Sequence, residues 1–256
     1  MRNILLTMMY DGSCFHGWQV QNNAVSVQEI FQKALFTVFG KTEIKGCSRT
    51  DSGVHANMYC VSFHTDHRIP VGKIPAALNN YLPTSIAVMG AREMPDDFHA
   101  RYSCVGKQYI YKIWNNDIRN PFLDKYALHY WYKLDISLMN EAASHFIGRH
   151  DFTSFCTLDK REKGDFHRTI TDISVSASDD LVTITVQADG FLYNMVRIIV
   201  GTLLYVAQGK ILPGEIPSIF EAENRSLAGP TAPAHGLYLN KVFYNDKDIY
   251  GSSLSK

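Results

Sequence analysis

Hydrophobic positions along the chain switch between a period of two and a period near 3.6, which predicts strands interleaved with helices. Residues 4–9 form a mostly apolar run closed by Asp11-Gly12, the pattern of a buried strand ending in a turn. Ser26 and Glu29 have capping-box spacing, and Val27, Ile30, Phe31, Ala34, Leu35 and Val38 then recur at helical spacing until Gly40. Residues 58–64 alternate, with Tyr59, Val61 and Phe63 on one side, and predict a strand. A helix is expected over residues 73–82, with Pro75 in its first turn, and a strand over 86–91. Residues 105–114 read as a strand that puts Tyr109, Tyr111 and Ile113 on one face.

The second half repeats the plan. A helix is expected over residues 134–146, then a hairpin of strands 170–177 and 181–187 joined by Ser178-Asp179-Asp180. A long helix over 194–208 is stopped by Gly209, with Pro213 beyond, and a short helix over 215–221 and a strand over 237–243 follow. Residues 223–233 read as a loop and 251–256 as a frayed tail. This order predicts an α+β fold, a mostly antiparallel sheet with helices on one face.

Composition narrows the function classes. With 256 residues, 46% of them hydrophobic and 20% charged, the chain can bury a sizeable core in one large or two modest domains. No run approaches the roughly 20 uncharged apolar residues of a membrane span. The N-terminal run lacks the cleavage site of a signal peptide, so a cytoplasmic protein is expected. Cys14, Cys47, Cys60, Cys104 and Cys156 are scattered without a C-x-x-C pair, which suits reduced thiols better than a disulfide frame or zinc site. Lysine plus arginine equals aspartate plus glutamate at 25 each. That balance counts against nucleic-acid binding unless the cations gather along one surface.

The densest polar cluster is Cys47-Ser48-Arg49-Thr50-Asp51-Ser52-Gly53-Val54-His55-Ala56. It puts one guanidinium and one carboxylate on a tight loop before an apolar strand, where catalytic side chains tend to sit. An Asx turn would use the same letters. Arg197 lies in the apolar run Met195-Val196-Arg197-Ile198-Ile199-Val200, so it either snorkels to water or meets a carboxylate across an internal cleft. Paired with Asp51, it would hold that carboxylate ionised. Tyr109 and Tyr111 with Lys107 have the composition of a base-stacking face, and equally of ordinary cross-strand packing. His64-Thr65-Asp66-His67 carries metal-site residue types at a strand end without a partner cluster, and Asp96 and Asp97 should point apart. The chain has no Walker A loop, dinucleotide glycine fingerprint, nucleophile elbow or H-E-x-x-H, which argues against those chemistries.

A set of blocks in fixed order resembles the tRNA pseudouridine synthase A family. They are Tyr10-Asp11-Gly12-Ser13 with Gly17-Trp18-Gln19, Arg49-Thr50-Asp51-Ser52-Gly53-Val54-His55-Ala56, and Phe98-His99-Ala100-Arg101-Tyr102-Ser103. Lys107-Gln108-Tyr109-Ile110-Tyr111, Asp151-Phe152-Thr153-Ser154-Phe155-Cys156, Gly190-Phe191-Leu192-Tyr193-Asn194-Met195-Val196-Arg197 and Ala234-His235-Gly236-Leu237-Tyr238-Leu239 complete the set. The resemblance implies two ferredoxin-like halves, residues 1–104 and 105–256, with the active cleft between them. It also implies a homodimer that grips tRNA and isomerises uridine to pseudouridine at positions 38, 39 and 40 of the anticodon stem-loop, without cofactor or metal.

Under that resemblance Asp51 falls on the essential aspartate, and Arg49 on an arginine that helps extrude the target base. Tyr109 falls on the tyrosine that stacks on the uracil, and Arg197 on the arginine that pairs with the aspartate. Two small departures stand out, Ser48 where many members have glycine and Asn194 where some have histidine. The carboxylate could attack C1′ or take a proton from C2′, and both routes stay open. One rival reading is a catalytically inactive RNA-binding or folding-chaperone relative. Another is a glycosidase-like hydrolase, for which a second carboxylate is missing.

Overall fold

The structure, a computed structural model, describes residues 1–158 and 164–245, so the tail expected at 251–256 lies outside the described residues. Among the described residues, ten strands and five α-helices form two compact units. Of the described residues, one unit comprises those in Met1–Lys107 and from Tyr238 to residue 245, and the other those in Gln108–Leu237.

The first unit begins with β1 (Arg2–Tyr10), α1 (Val27–Phe39), β2 (Lys45–Gly46) and β3 (His55–Thr65), followed by α2 (Ile74–Asn79) and β4 (Ile86–Met94). Strand β1 runs antiparallel to both β3 and β4, and β2 antiparallel to β3. With neighbours along both edges, β3 is covered along nearly its whole length, and only His64 among its residues is exposed. Helix α1 starts where the capping signal placed it, Ser26 Oγ accepting from Glu29 N at 3.2 Å, and stops at Gly40 with φ 74°. It buries Val27, Phe31, Ala34 and Leu35. Helix α2 is shorter than expected because Asn79 turns its amide onto β4, Nδ2 donating to Val88 O at 2.9 Å and Oδ1 accepting from Val88 N at 2.8 Å.

The second unit takes up the chain within β5 (Cys104–Trp114) and continues through β6 (Leu128–His129), α3 (Ile136–Ser144) and β7 (Gly148–Asp151). Next come β8 (His167–Ser178), β9 (Leu181–Ala188), α4 (Met195–Ala207) and α5 (Ile216–Glu221). Its strand order is β5-β9-β8-β7, with β6 paired to β5. The predicted hairpin closes at Ser178↔Leu181, with Asp179 at φ 52°, a left-handed conformation that aspartate tolerates. Burial alternates residue by residue along β9, as a sheet packed on one face requires, and α3 packs on β8 and α4. The block Asp151-Phe152-Thr153-Ser154-Phe155 is structural. Asp151 Oδ1 accepts from Thr153 N and Oγ1, Ser154 Oγ donates to Ile219 O, and Phe152 and Phe155 cluster with Phe146 and Phe220.

The last strand, β10 (Leu237–Tyr244), departs from the expected halves of 1–104 and 105–256. Tyr238 and Leu239 pair in parallel with His55 and Ala56, so the strand belongs with β3 in the first unit. No local pattern signals a pairing over such a sequence separation. The antiparallel pairs outnumber the parallel ones, and the architecture is the α+β class predicted.

The segment read as a loop, 223–233, is stitched to α4. Thr202 Oγ1 accepts from Gly229 N at 2.9 Å, and a Cβ on Gly201 would meet Pro230 O at 1.7 Å. Helix and loop touch backbone to backbone there, and only glycine permits it. Gly201→Ala therefore should cost about 2–3 kcal/mol, lowering the melting temperature by roughly 5–10 °C in a thermal denaturation series. A shift under about 1 °C would show that the loop moves aside freely.

Candidate functional site

The loop carrying Asp51 is fixed by the segment that follows β1. Trp18 N donates to Thr50 O at 3.1 Å, Gly53 N to Phe15 O at 3.2 Å, and Val54 N to Asp51 O at 3.1 Å. Gly17 makes this approach possible, since it sits at φ 79° and a Cβ there would lie 2.4 Å from Thr50 O. Below the loop, Tyr10 OH and Thr50 Oγ1 are 2.8 Å apart, Tyr59 OH donates to Ser48 O, and Trp18 stacks on Tyr59 at 4.1 Å. Past it, Gly12 N donates to Nδ1 of the buried His55 at 3.1 Å, with Asp11 Oδ1 3.2 Å from the same nitrogen. The His55 ring stacks on Tyr238 at 4.6 Å.

Asp51 is thus a half-buried carboxylate on a loop whose backbone is held on both flanks. Arg49, two residues before it, is exposed. Ser48 is a mild departure here, because what the fold uses at that position is its backbone carbonyl.

Tyr109 and Arg197 belong to the second unit. Tyr109 is 6% exposed and meets Phe191 edge-on at 5.0 Å between centroids. Tyr111, two residues along, is a core residue. It is fully buried, its hydroxyl donates to Pro233 O at 2.8 Å, and burial pushes that hydroxyl well above its ordinary pKa. The stacking face expected from Tyr109, Tyr111 and Lys107 therefore does not include Tyr111, which core packing has claimed.

Arg197 lies in the first turn of α4 and is half-buried. Its Nε donates to Ala232 O at 2.6 Å and its Nη1 to Asn194 Oδ1 at 2.8 Å, while its own carbonyl accepts from Ala232 N at 3.0 Å. The snorkelling alternative does not describe such a side chain, because guanidinium and backbone are both pinned to the 229–232 segment. Pattern reading undervalued Asn194. It stands at φ 60°, a left-handed conformation that asparagine tolerates better than most residues, with Nδ2 donating to Thr157 Oγ1 at 3.0 Å. The signal was an asparagine directly before an apolar helix.

These groups supply a fixed carboxylate suited to nucleophile or base work, a buried aromatic ring, and a guanidinium oriented by hydrogen bonds to Ala232 O and Asn194 Oδ1. Among the described residues, no three His, Cys, Asp or Glu side chains are grouped to hold a metal ion, and no helix is long and apolar enough to cross a membrane. His64 Nε2 instead lies 3.1 Å from Asp96 Oδ1.

A family model described as tRNA pseudouridine synthase matches residues 6–103 and 142–245, spans that include Arg49, Asp51 and Arg197. A tRNA pseudouridine synthase A of Thermoanaerobacter sp. (strain X514) is 46% identical over 245 residues, covering 95% of this chain and 100% of that protein. The protein of that name from Ruminiclostridium cellulolyticum is 44% identical over 249 residues, with 95% and 100% covered. Its counterpart from Bacillus pumilus is 45% identical over 243 residues, with 94% and 98% covered. The chain belongs to the tRNA pseudouridine synthase family.

Proposed function

We propose that this protein isomerises uridine to pseudouridine in tRNA, at positions 38, 39 and 40 of the anticodon stem-loop, with Asp51 as the reacting carboxylate. The observation that carries this reading is the clamped Asp51 loop in a chain matched over 95% of its length by proteins named tRNA pseudouridine synthase A. The reaction breaks N1–C1′, turns the uracil and joins C5 to C1′. N1 gains a proton and C5 loses one, so no redox partner or co-substrate is needed. A carboxylate serves either route, by attacking C1′ or by removing a proton from C2′. Water must be kept from C1′ while the base turns, or hydrolysis would compete.

In this reading Arg197 supplies the charge that keeps Asp51 ionised and oriented. Tyr109 stacks on the detached uracil, and Arg49 helps hold the nucleotide out of its helix. Isomerisation with unchanged atom count asks for neither metal nor cofactor. The same reading places the enzyme in the cytoplasm as a homodimer, for which sedimentation should give twice the 29.0 kDa chain mass.

Tritium release from tRNA labelled at uracil C5 tests the central assignment. Wild-type protein should release tritium with no added metal or nucleotide, and Asp51→Asn should release none while its tRNA affinity stays within about threefold, or 0.65 kcal/mol. A wild type that binds tRNA without turnover would favour the inactive RNA-binding relative, and an active Asn variant would remove Asp51 from the chemistry. For Arg197→Lys, which loses the forked donor geometry, the single-turnover rate should fall roughly 10- to 100-fold. Asn194→Ala should lower it less, since the guanidinium keeps its full charge and its hydrogen bond to Ala232 O. Equal rates for all three proteins would mean that Arg197 orients nothing.

A further inference from the structure

The turn between β4 and β5, residues 98–103, has no part in the assignments above, yet its backbone is nailed down from several sides. Asn3 Nδ2 donates to Phe98 O at 2.8 Å, Ala100 N donates to Ser62 Oγ at 3.0 Å, and Tyr244 OH donates to Ala100 O at 2.7 Å. Ser103 N donates to His99 O at 2.9 Å, and His99 N to Ser103 Oγ at 3.1 Å. Phe98 and Ala100 are buried. On this rigid base Tyr102 stands 78% exposed.

Its neighbours are aromatic and cationic. The His99 ring lies 4.4 Å from the Tyr102 ring at 40°, and the Arg101 guanidinium carbon is 5.8 Å from the Tyr102 centroid. His99 Nδ1 accepts from Arg101 N at 3.0 Å and Tyr102 N at 3.3 Å, which puts the proton of the neutral ring on Nε2. Burial, with the charges of Lys45 and Arg101 beside it, lowers the pKa of His99 and favours that neutral form. The result is an open aromatic face, a donor N–H and nearby cations, Lys45 being ion-paired with Glu43.

We infer that Tyr102, braced by His99 and Arg101, is a second nucleotide subsite that stacks an unpaired base of the RNA away from the reacting uridine. The inference rests on the tRNA-modifying reading above and adds a contact to it. Stacking on a tyrosine suits any base, because every base has a π-face, and cations beside the ring suit the adjoining phosphate. An apolar protein partner would desolvate the Arg101 guanidinium without offering it an anion, whereas a phosphate supplies one. A preorganised backbone leaves only side-chain rotations to be frozen on binding.

The test measures dissociation constants by fluorescence anisotropy and single-turnover rates with an unmodified tRNA transcript. Tyr102→Ala should raise Kd and KM roughly 5- to 100-fold, with the rate at saturating enzyme falling no more than about twofold. Tyr102→Phe and Tyr102→Trp should bind as wild type, and the Trp variant should show tRNA-dependent quenching in excess of that from the native Trp18, Trp114 and Trp131. A Tyr102→Ala protein with wild-type Kd and wild-type melting temperature overturns the subsite. So does a Phe variant as weak as the Ala variant, which would point to the hydroxyl. Weaker binding that appears only with loss of self-association in sedimentation assigns the face to a second copy of the chain instead. If wild type makes no pseudouridine but binds tRNA in a Tyr102-dependent way, the isomerase reading fails and the subsite stands.

Discussion

The Asp51 loop keeps its shape because a neighbouring stretch of backbone lies against it without intervening side chains. Trp18 and Phe15 exchange hydrogen bonds with Thr50 and Gly53, and the contact closes only because Gly17 has no Cβ. Each such bond contributes on the order of 1 kcal/mol net, so several together make the loop stiffer than its turn-forming letters suggest. The stacked Trp18–Tyr59 pair and the Tyr10–Thr50 hydroxyl contact fill the space beneath. Two neighbouring sequence blocks thus have a common purpose, since Tyr10-Asp11-Gly12-Ser13 and Gly17-Trp18-Gln19 frame a loop much further along the chain, the one that carries the carboxylate.

The second unit solves a similar problem with different means. Arg197 cannot lose its charge, so its partly buried guanidinium must be met by acceptors. The 229–232 segment supplies Ala232 O and, through Gly229 and Pro230, clasps the same helix one turn further on. The cost is a steric demand at Gly201 that no side chain can satisfy. Asn194 adds a second acceptor from a left-handed residue at the helix start, a strained position of the kind found where geometry matters more than stability. Stability and positioning are therefore linked along one face of α4.

Elements governed by local rules were legible in the sequence. The Ser26 cap and Gly40 stop of α1, the alternation in β9, and the Gly209 end of α4 all follow from short-range physics. The short strands β2, β6 and β7 were invisible, because four residues or fewer carry no periodicity and gain their identity from pairing. The return of β10 to β3 was hidden for the same reason at longer range. Tyr111 showed the limit of a composition argument, since an aromatic on a strand has the same letter whether it faces RNA or core. Among the candidate site residues, sequence pattern singled out Asp51 and Arg197 by type and neighbourhood, and Tyr109 gained its assignment from resemblance. Tyr102 could not have been singled out, because exposure of a tyrosine is a property of the folded turn.

If the loop matters as a positioning device, the length of the acid side chain should matter as much as its charge. An error near 1 Å in placing a reacting group costs about 100-fold in rate. Asp51→Glu keeps the carboxylate and moves it by one methylene. The direct measurement is the single-turnover rate of pseudouridine formation in a tRNA transcript, followed by mass spectrometry after cyanoethylation, for wild type and Asp51→Glu at matched tRNA occupancy. The account predicts a rate at least about 100-fold lower for the glutamate protein, with unchanged affinity and melting temperature. A glutamate protein that turns over as fast as wild type would contradict it, because a carboxylate that can be moved freely needs no clamped loop.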